Sequence, residues 1–183
     1  MTKAALLIVP GLGSSGPEHW QTLWQQRYPG SLRVEQRDWD RPNREEWIAA
    51  LDHAVGQVEG PVILVAHSLA CSLVAHWAGR RSVGKIAAAL LVAPADVDSE
   101  AQTPPEVRGF ALMPLEALPF PAVVAASADD PYVGIERARE FASRWGARFV
   151  DVGKLGHINS DSGHGEWAEG ERIFAELRAK VQG

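Results

Sequence analysis

Short apolar runs alternate along the chain with longer stretches in which apolar side chains return every three or four positions. Apolar or β-branched runs stand at about 4–9, 32–37, 61–66, 86–93, 121–127 and 147–152, and each predicts a strand. Between them the spacing predicts helices at Pro17–Gln26, Asn43–Val58, Leu69–Gly79, Val133–Trp145 and Gly165–Val181. Two of the starts carry their own signals. Pro17 suits a first helical turn, and Glu18 complements the positive end of the helix dipole. Asn43 followed by Glu46 forms a box-like start, with Trp47, Ile48, Leu51 and Val55 on one face. In the last helix Trp167, Ile173, Phe174 and Leu177 are expected to face inward.

Apolar strands separated by helices predict a mainly parallel sheet of about six strands, covered on both faces in three layers. Right-handed crossovers bring all the strand C-termini to one edge, which is where such sheets place their chemistry. Pro10-Gly11-Leu12, Ser68, Asp130 and His157 each follow a strand run, so four distant segments converge there. The stretch from Pro94 to Pro121 breaks the alternation. It reads either as a wall of the pocket with a short helix or as a surface excursion, and it leaves no room for a large cap domain.

Composition narrows the picture. A chain of 183 residues with 46% hydrophobic content can bury a sizeable core and is expected to be one domain, 1–183. A net charge of −5 argues against broad binding to nucleic acid or anionic membranes. The single cysteine, Cys71, excludes an internal disulfide framework and suits a reducing, cytoplasmic location. The N-terminal apolar run is too short to span a membrane and lacks a cleavage site.

The chemistry centres on Val65-Ala66-His67-Ser68-Leu69-Ala70-Cys71, between a strand run and a helical pattern. A serine with small residues two positions either side fits a nucleophile elbow, because the sharp turn leaves no room for larger neighbours. The common form has glycines there; this chain has alanines. A serine after a strand can also be a plain helix cap. What favours the nucleophile is an acid in Ala128-Asp129-Asp130-Pro131 and a histidine in Gly156-His157, in the required chain order. Either Asp129 or Asp130 can be the acid by spacing, with Asp130 favoured. Backbone N–H groups of Leu12 and Leu69 are candidate oxyanion donors. His19 either contacts substrate or makes only a structural hydrogen bond. His67 is expected to be structural, Cys71 to lie in the core, and His157, Asp161 and His164 fit no compact metal motif.

Gly11-Leu12-Gly13-Ser14-Ser15-Gly16 matches the dinucleotide-binding fingerprint by letters. Its context is wrong. Pro17 places the helix start after the third glycine, whereas a true fingerprint begins the helix among the glycines.

Together, Val9-Pro10-Gly11, His19-Trp20, the Ser68 segment, Asp129-Asp130-Pro131 and Gly156-His157 resemble the small serine hydrolases that include retinoblastoma-binding protein nine and its bacterial relatives. The similarity spans nearly the whole chain. It implies a compact, capless α/β-hydrolase fold that lacks the first two strands of larger members. It also implies a Ser-Asp-His triad falling on Ser68, Asp130 and His157, and so supports Asp130 over Asp129. Ala70 departs from the glycine of many relatives and narrows the turn.

The expectation is therefore a hydrolase that takes a small acyl substrate, an ester or else a thioester or amide, through an acyl-enzyme. It needs no cofactor and no metal, and no nucleic-acid or membrane partner is expected. The alternative is a weakly active or inactive protein-interaction module on the same fold, for which a protein partner is conceivable but unsupported.

Overall fold

The computed structural model describes residues 4–80 and 83–182. Its elements run β1 (Ala5–Val9), α1 (Trp20–Arg27), β2 (Leu32–Arg33), α2 (Arg44–Gly56), β3 (Val62–His67), α3 (Leu69–Ala78) and β4 (Ile86–Val92). There follow a 3-10 helix (Pro105–Phe110), β5 (Ala122–Ala126), α4 (Ile135–Trp145), β6 (Arg148–Asp151) and α5 (Ala168–Gln182). The strands form one sheet in the order β2-β1-β3-β4-β5-β6, and each neighbouring pair is parallel.

Alternate side chains on each strand feed opposite faces, as a two-residue period requires. Leu7, Val9, Leu64, Ala66, Leu91 and Val124 pack under α2, α3 and α4. Leu6, Ile8, Ile63, Val65, Leu90 and Val123 pack under α1, α5 and the indoles of Trp20, Trp24 and Trp167. Full burial of each Leu or Ile contributes about 1.5–3 kcal/mol, so both layers are needed to hold a sheet this apolar.

Three elements depart from their sequence patterns by three or more residues at one end. The run 32–37 gives only two paired residues, Leu32 and Arg33 against Leu7 and Ile8. After Val34 the chain swings over the β1 loop, where Trp39 C=O accepts the Gly13 N–H, and Asp38 then closes a turn onto the N–H groups of Asp40 and Arg41. The first helix starts at Trp20 rather than Pro17, because His19 is extended and caps it, its Nδ1 accepting the Gln21 N–H. Trp167 is buried but precedes α5, which begins at Ala168. Asn43 caps α2 through the Glu46 N–H, in agreement with its sequence signal.

The sheet order fixes where a site can form. From β1 the chain crosses to β2 on one side, and from β3 to β4 on the other, which opens a crevice between the C-terminal ends of β1 and β3. Gly11 lies in that crevice. A Cβ there would stand 2.8 Å from the His67 carbonyl oxygen, 3.0 Å from Ser68 Cβ and 3.2 Å from Leu69 N. Only glycine lets the two loops approach this closely.

The segment after β4 is a fixed wall. Arg137 of α4 pairs with both Asp96 and Asp98, and Asp98 accepts the Met113 N–H. Arg108 bonds Thr103 and Ser99, and His76 Nε2–H of α3 donates to Phe110 C=O. Among the described residues no helix is long and apolar enough to cross a membrane.

Candidate active site

At the end of β3 the chain turns into α3 through Ser68, whose φ is 59° and ψ −124°. A non-glycine residue in this region stores about 1–3 kcal/mol of strain, tolerated only where the surroundings hold it. Here the Ser68 N–H donates to Val92 C=O, and Ala66 and Ala70 are fully buried around the bend. The Ser68 side chain makes no capping bond to α3. Its hydroxyl instead donates to His157 Nε2 at 2.8 Å. Cys71, one turn further, is buried against the carbonyls of Ala66 and Val92, and burial pushes its thiol well above the usual range.

His157 Nδ1–H faces Asp130, at 3.0 and 2.9 Å from its two carboxylate oxygens. The Asp130 side chain is 0% exposed and that of His157 8%, so this pair is shielded from solvent. Asp130 also accepts the Tyr132 N–H, and the Tyr132 ring stands edge-on to the imidazole at 4.5 Å. Asp129 points elsewhere. It accepts from Ser127 Oγ and from the Gly156 N–H, each at 2.8 Å, and these bonds hold its carboxyl below the ordinary range. Ser127 Oγ in turn accepts the Leu155 N–H. Asp129 therefore buckles the histidine loop to the acid loop, and geometry separates the two aspartates that spacing left open.

Two further contacts fix the histidine loop. Trp20 Nε1–H donates to Ile158 C=O at 2.8 Å, and His67 Nε2–H donates to His157 C=O at 2.9 Å. His67 is buried at the cavity wall, and desolvation drives its pKa well below the usual value, so the ring is a neutral donor.

The N–H groups of Leu12 and Leu69 have no hydrogen-bond partner among the described residues, and both residues line the cavity that holds Ser68. Gly13 and Ser14 N–H are spent on Trp39 C=O and Gly11 C=O. The two central amides of the glycine loop are thus already paired within the protein, and α1 begins four residues beyond Gly16. That geometry does not make a pyrophosphate cradle. The three residues His157, Asp161 and His164 do not gather; among the described residues no such group could hold a metal ion.

The cavity measures about 400 Å³ and is closed by Ala95, Thr103, Pro104 and Val107 of the wall, by Tyr132, and by His19. Sequence reasoning missed one buried residue. Gln21 Nε2 donates to the carbonyls of Val9 and Val65 at 3.2 and 3.0 Å, while its Oε1 accepts from Ser15 Oγ at 2.6 Å. It ties the end of β1, which carries the Leu12 loop, to the end of β3, which carries Ser68. Only the arrival of α1 over the crevice reveals this, because nothing in the Gln21 neighbourhood distinguishes it from a surface glutamine.

An elbow serine at the C-terminal edge of a parallel sheet, with histidine and acid on later loops and no cap domain among the described residues, defines the α/β-hydrolase class. Comparison with known proteins agrees. The family described as serine hydrolase matches residues 6–176, and the chain belongs to that family. A protein described as a YdeN-like hydrolase from Pectobacterium atrosepticum is 31% identical. It superposes with a TM-score of 0.88 over 98% of this chain and 92% of its own. The ydeN gene product from B. subtilis is 18% identical with a TM-score of 0.78, covering 96% and 99%. The esterase domain of a Rhodothermus marinus protein shares the fold at 20% identity and a TM-score of 0.70, covering 98% and 88%. A search of curated sequences finds no match.

Proposed function

We propose that this hydrolase cleaves small esters, with thioesters or amides as the alternative bond, through an acyl-enzyme on Ser68. The observation that carries the reading is the unbroken chain from Ser68 Oγ through His157 to Asp130, with bonds of 2.8 and 2.9 Å. Ser68 is the nucleophile. As its oxygen attacks the acyl carbon, the hydroxyl proton passes to His157 Nε2, and Asp130 holds the imidazole in the Nδ1–H tautomer and stabilises the imidazolium. The carbonyl electron pair moves onto oxygen, where the N–H groups of Leu12 and Leu69 are the proposed donors. Collapse of the adduct breaks the bond to the leaving group, which takes the proton from His157. Water then repeats the sequence on the acyl-serine and releases the acid. The roughly 400 Å³ cavity suits a short acyl group, and none of these steps calls on a metal or cofactor.

The test is fluorophosphonate labelling with p-nitrophenyl acetate turnover for wild type, Ser68→Ala and His157→Ala. The reading expects both signals in wild type and neither in the variants. A folded wild type that neither labels nor turns over would instead favour an interaction module with a vestigial site.

A further inference from the structure

We propose that His19 forms a recognition subsite in the Ser68 cavity, presenting a neutral Nε2–H donor to an uncharged oxygen acceptor on the substrate, apart from the bond being cleaved. The proposal rests on the hydrolase reading above. Its basis is which ring nitrogen is already in use. Nδ1 accepts the Gln21 N–H at 3.1 Å, and a backbone N–H can only donate, so Nδ1 carries no proton. The ring is then neutral and its proton is on Nε2. Burial and the nearby Arg33 agree, lowering the His19 pKa to about 4.

The side of the ring that bears Nε2 is the part left for a ligand. His19 is only 4% exposed and lines the cavity with Ser68, yet among the described residues Nε2 has no hydrogen-bond partner. In the free enzyme this donor is open to cavity water, so an apolar group that displaces the water leaves it unpaired, and a substrate atom that accepts from it is favoured over an apolar group of the same shape. The charge of the lining sets the chemical class. Among the described residues no lysine or arginine lines the cavity; Arg33 lies near His19, but its guanidinium is engaged by Gln25, the Ser15 carbonyl and Thr22, and the one carboxylate side chain in the lining is the exposed Asp161. A substrate carboxylate or phosphate would lose its hydration without gaining a cation. An ether, hydroxyl or carbonyl oxygen suits the site.

The experiment uses pairs of esters with equal heavy-atom counts, differing by one oxygen in place of one methylene. On the acyl side these are p-nitrophenyl methoxyacetate and p-nitrophenyl butyrate. On the alcohol side they are 2-methoxyethyl acetate and butyl acetate. The readout is the ratio of kcat/KM within each pair, compared between wild type, His19→Asn and His19→Gln, which cancels the intrinsic reactivity of each ester. His19→Asn keeps an oxygen to cap α1 and removes the donor at Nε2. His19→Gln keeps an N–H donor at that reach. Thermal melts establish that both variants are folded.

The expected result is an oxygen preference in one pair that falls about tenfold in His19→Asn and partly returns in His19→Gln. Which pair responds tells whether the acceptor lies on the acyl or the alcohol side. Hydrolysis of p-nitrophenyl hemisuccinate should run well below that of the butyrate. Unchanged ratios in both pairs overturn the proposal. So does an equal loss on all four esters, which would assign His19 to the oxyanion, and so does a hemisuccinate rate equal to that of the butyrate. A wild type that turns over none of the esters and resists fluorophosphonate refutes the hydrolase reading itself, a separate and recognisable failure.

Discussion

Replacing Gln21 by Leu tests whether the site is held by the fold or merely sits on it. The side chain is fully buried, and leucine fills a similar volume, so the change removes hydrogen bonds with little loss of packing. Three bonds disappear: to the carbonyls of Val9 and Val65, and from the hydroxyl of Ser15. At about 1 kcal/mol each, the loss is about 3 kcal/mol, before any cost of leaving those groups unpaired. For a domain of this size that lowers Tm by roughly 6–12 °C. The assay is a thermal melt, followed by p-nitrophenyl acetate kinetics well below the new Tm. Because Gln21 joins the Leu12 loop to the elbow, kcat should fall by roughly tenfold or more even where the protein is folded. Fluorophosphonate labelling should persist, since the Ser68–His157 bond is made by other elements. Gln21→Glu sharpens the test. A carboxylate facing two carbonyl oxygens is penalised, so its folded-state pKa rises above the unfolded value. Its deficit relative to wild type should therefore be largest near pH 8 and shrink as pH falls and the acid becomes a donor. A Gln21→Leu protein that melts within 2 °C of wild type would refute the reasoning.

The two neighbouring aspartates should separate cleanly in kinetics: Asp130→Asn should lower kcat by about 10⁴. Asp129→Asn should cost far less, mainly by loosening the loop that Ser127 and Gly156 share with it, read as increased proteolysis near residues 154–158. Gly11→Ala should cost roughly 10²-fold in kcat by pushing the Leu12 loop from the elbow, since two of the three atoms its Cβ meets belong to backbone; wild-type kinetics there would disprove the close approach. Acid should destabilise the fold through its neutral histidines. His19 titrates at about 4 in the folded chain and near 6.5 unfolded, so the unfolded state binds more protons between those values and stability is lost as pH falls through them. The His19 share is about 3 kcal/mol, and the drop in Tm from pH 7.5 to 4.5 should be smaller in His19→Asn.

What could be read in the chain was whatever one local segment encodes. The elbow is legible because a serine at φ 59° needs small neighbours within two residues, and Ala66 and Ala70 supply them. The α2 start is legible because Asn43 and Glu46 interact across one turn. The length of β2 was not, since whether residues 35–37 pair depends on a loop that must instead reach Gly13 through Trp39. The helix start at Trp20 failed in the same way. Pro17 permits a first turn, but the capping imidazole of His19 takes the Gln21 N–H and sets the boundary three residues later.

The site divides along the same line. Ser68, Asp130 and His157 follow strand ends, so chain order and topology alone bring them to one edge. The residues that hold them there do not announce themselves. Asp129 and Asp130 have the same chemistry and adjacent positions, and they differ only in which distant atoms they meet, Gly156 N–H or His157 Nδ1. Trp20, His67 and Gln21 each bond a backbone group 44 to 138 positions away. Such bonds have no spacing to detect, because the partner is a carbonyl that every residue has. Their effect is nevertheless directed at the chemistry: His67 and Trp20 fix the carbonyls of the two successive peptide units after the His157 and Ile158 α-carbons, and Gln21 fixes the crevice opposite. A serine, a histidine and an acid in the right order therefore name the groups proposed to react. Whether they stand within hydrogen-bond reach depends on side chains whose identity looks ordinary until the sheet is assembled.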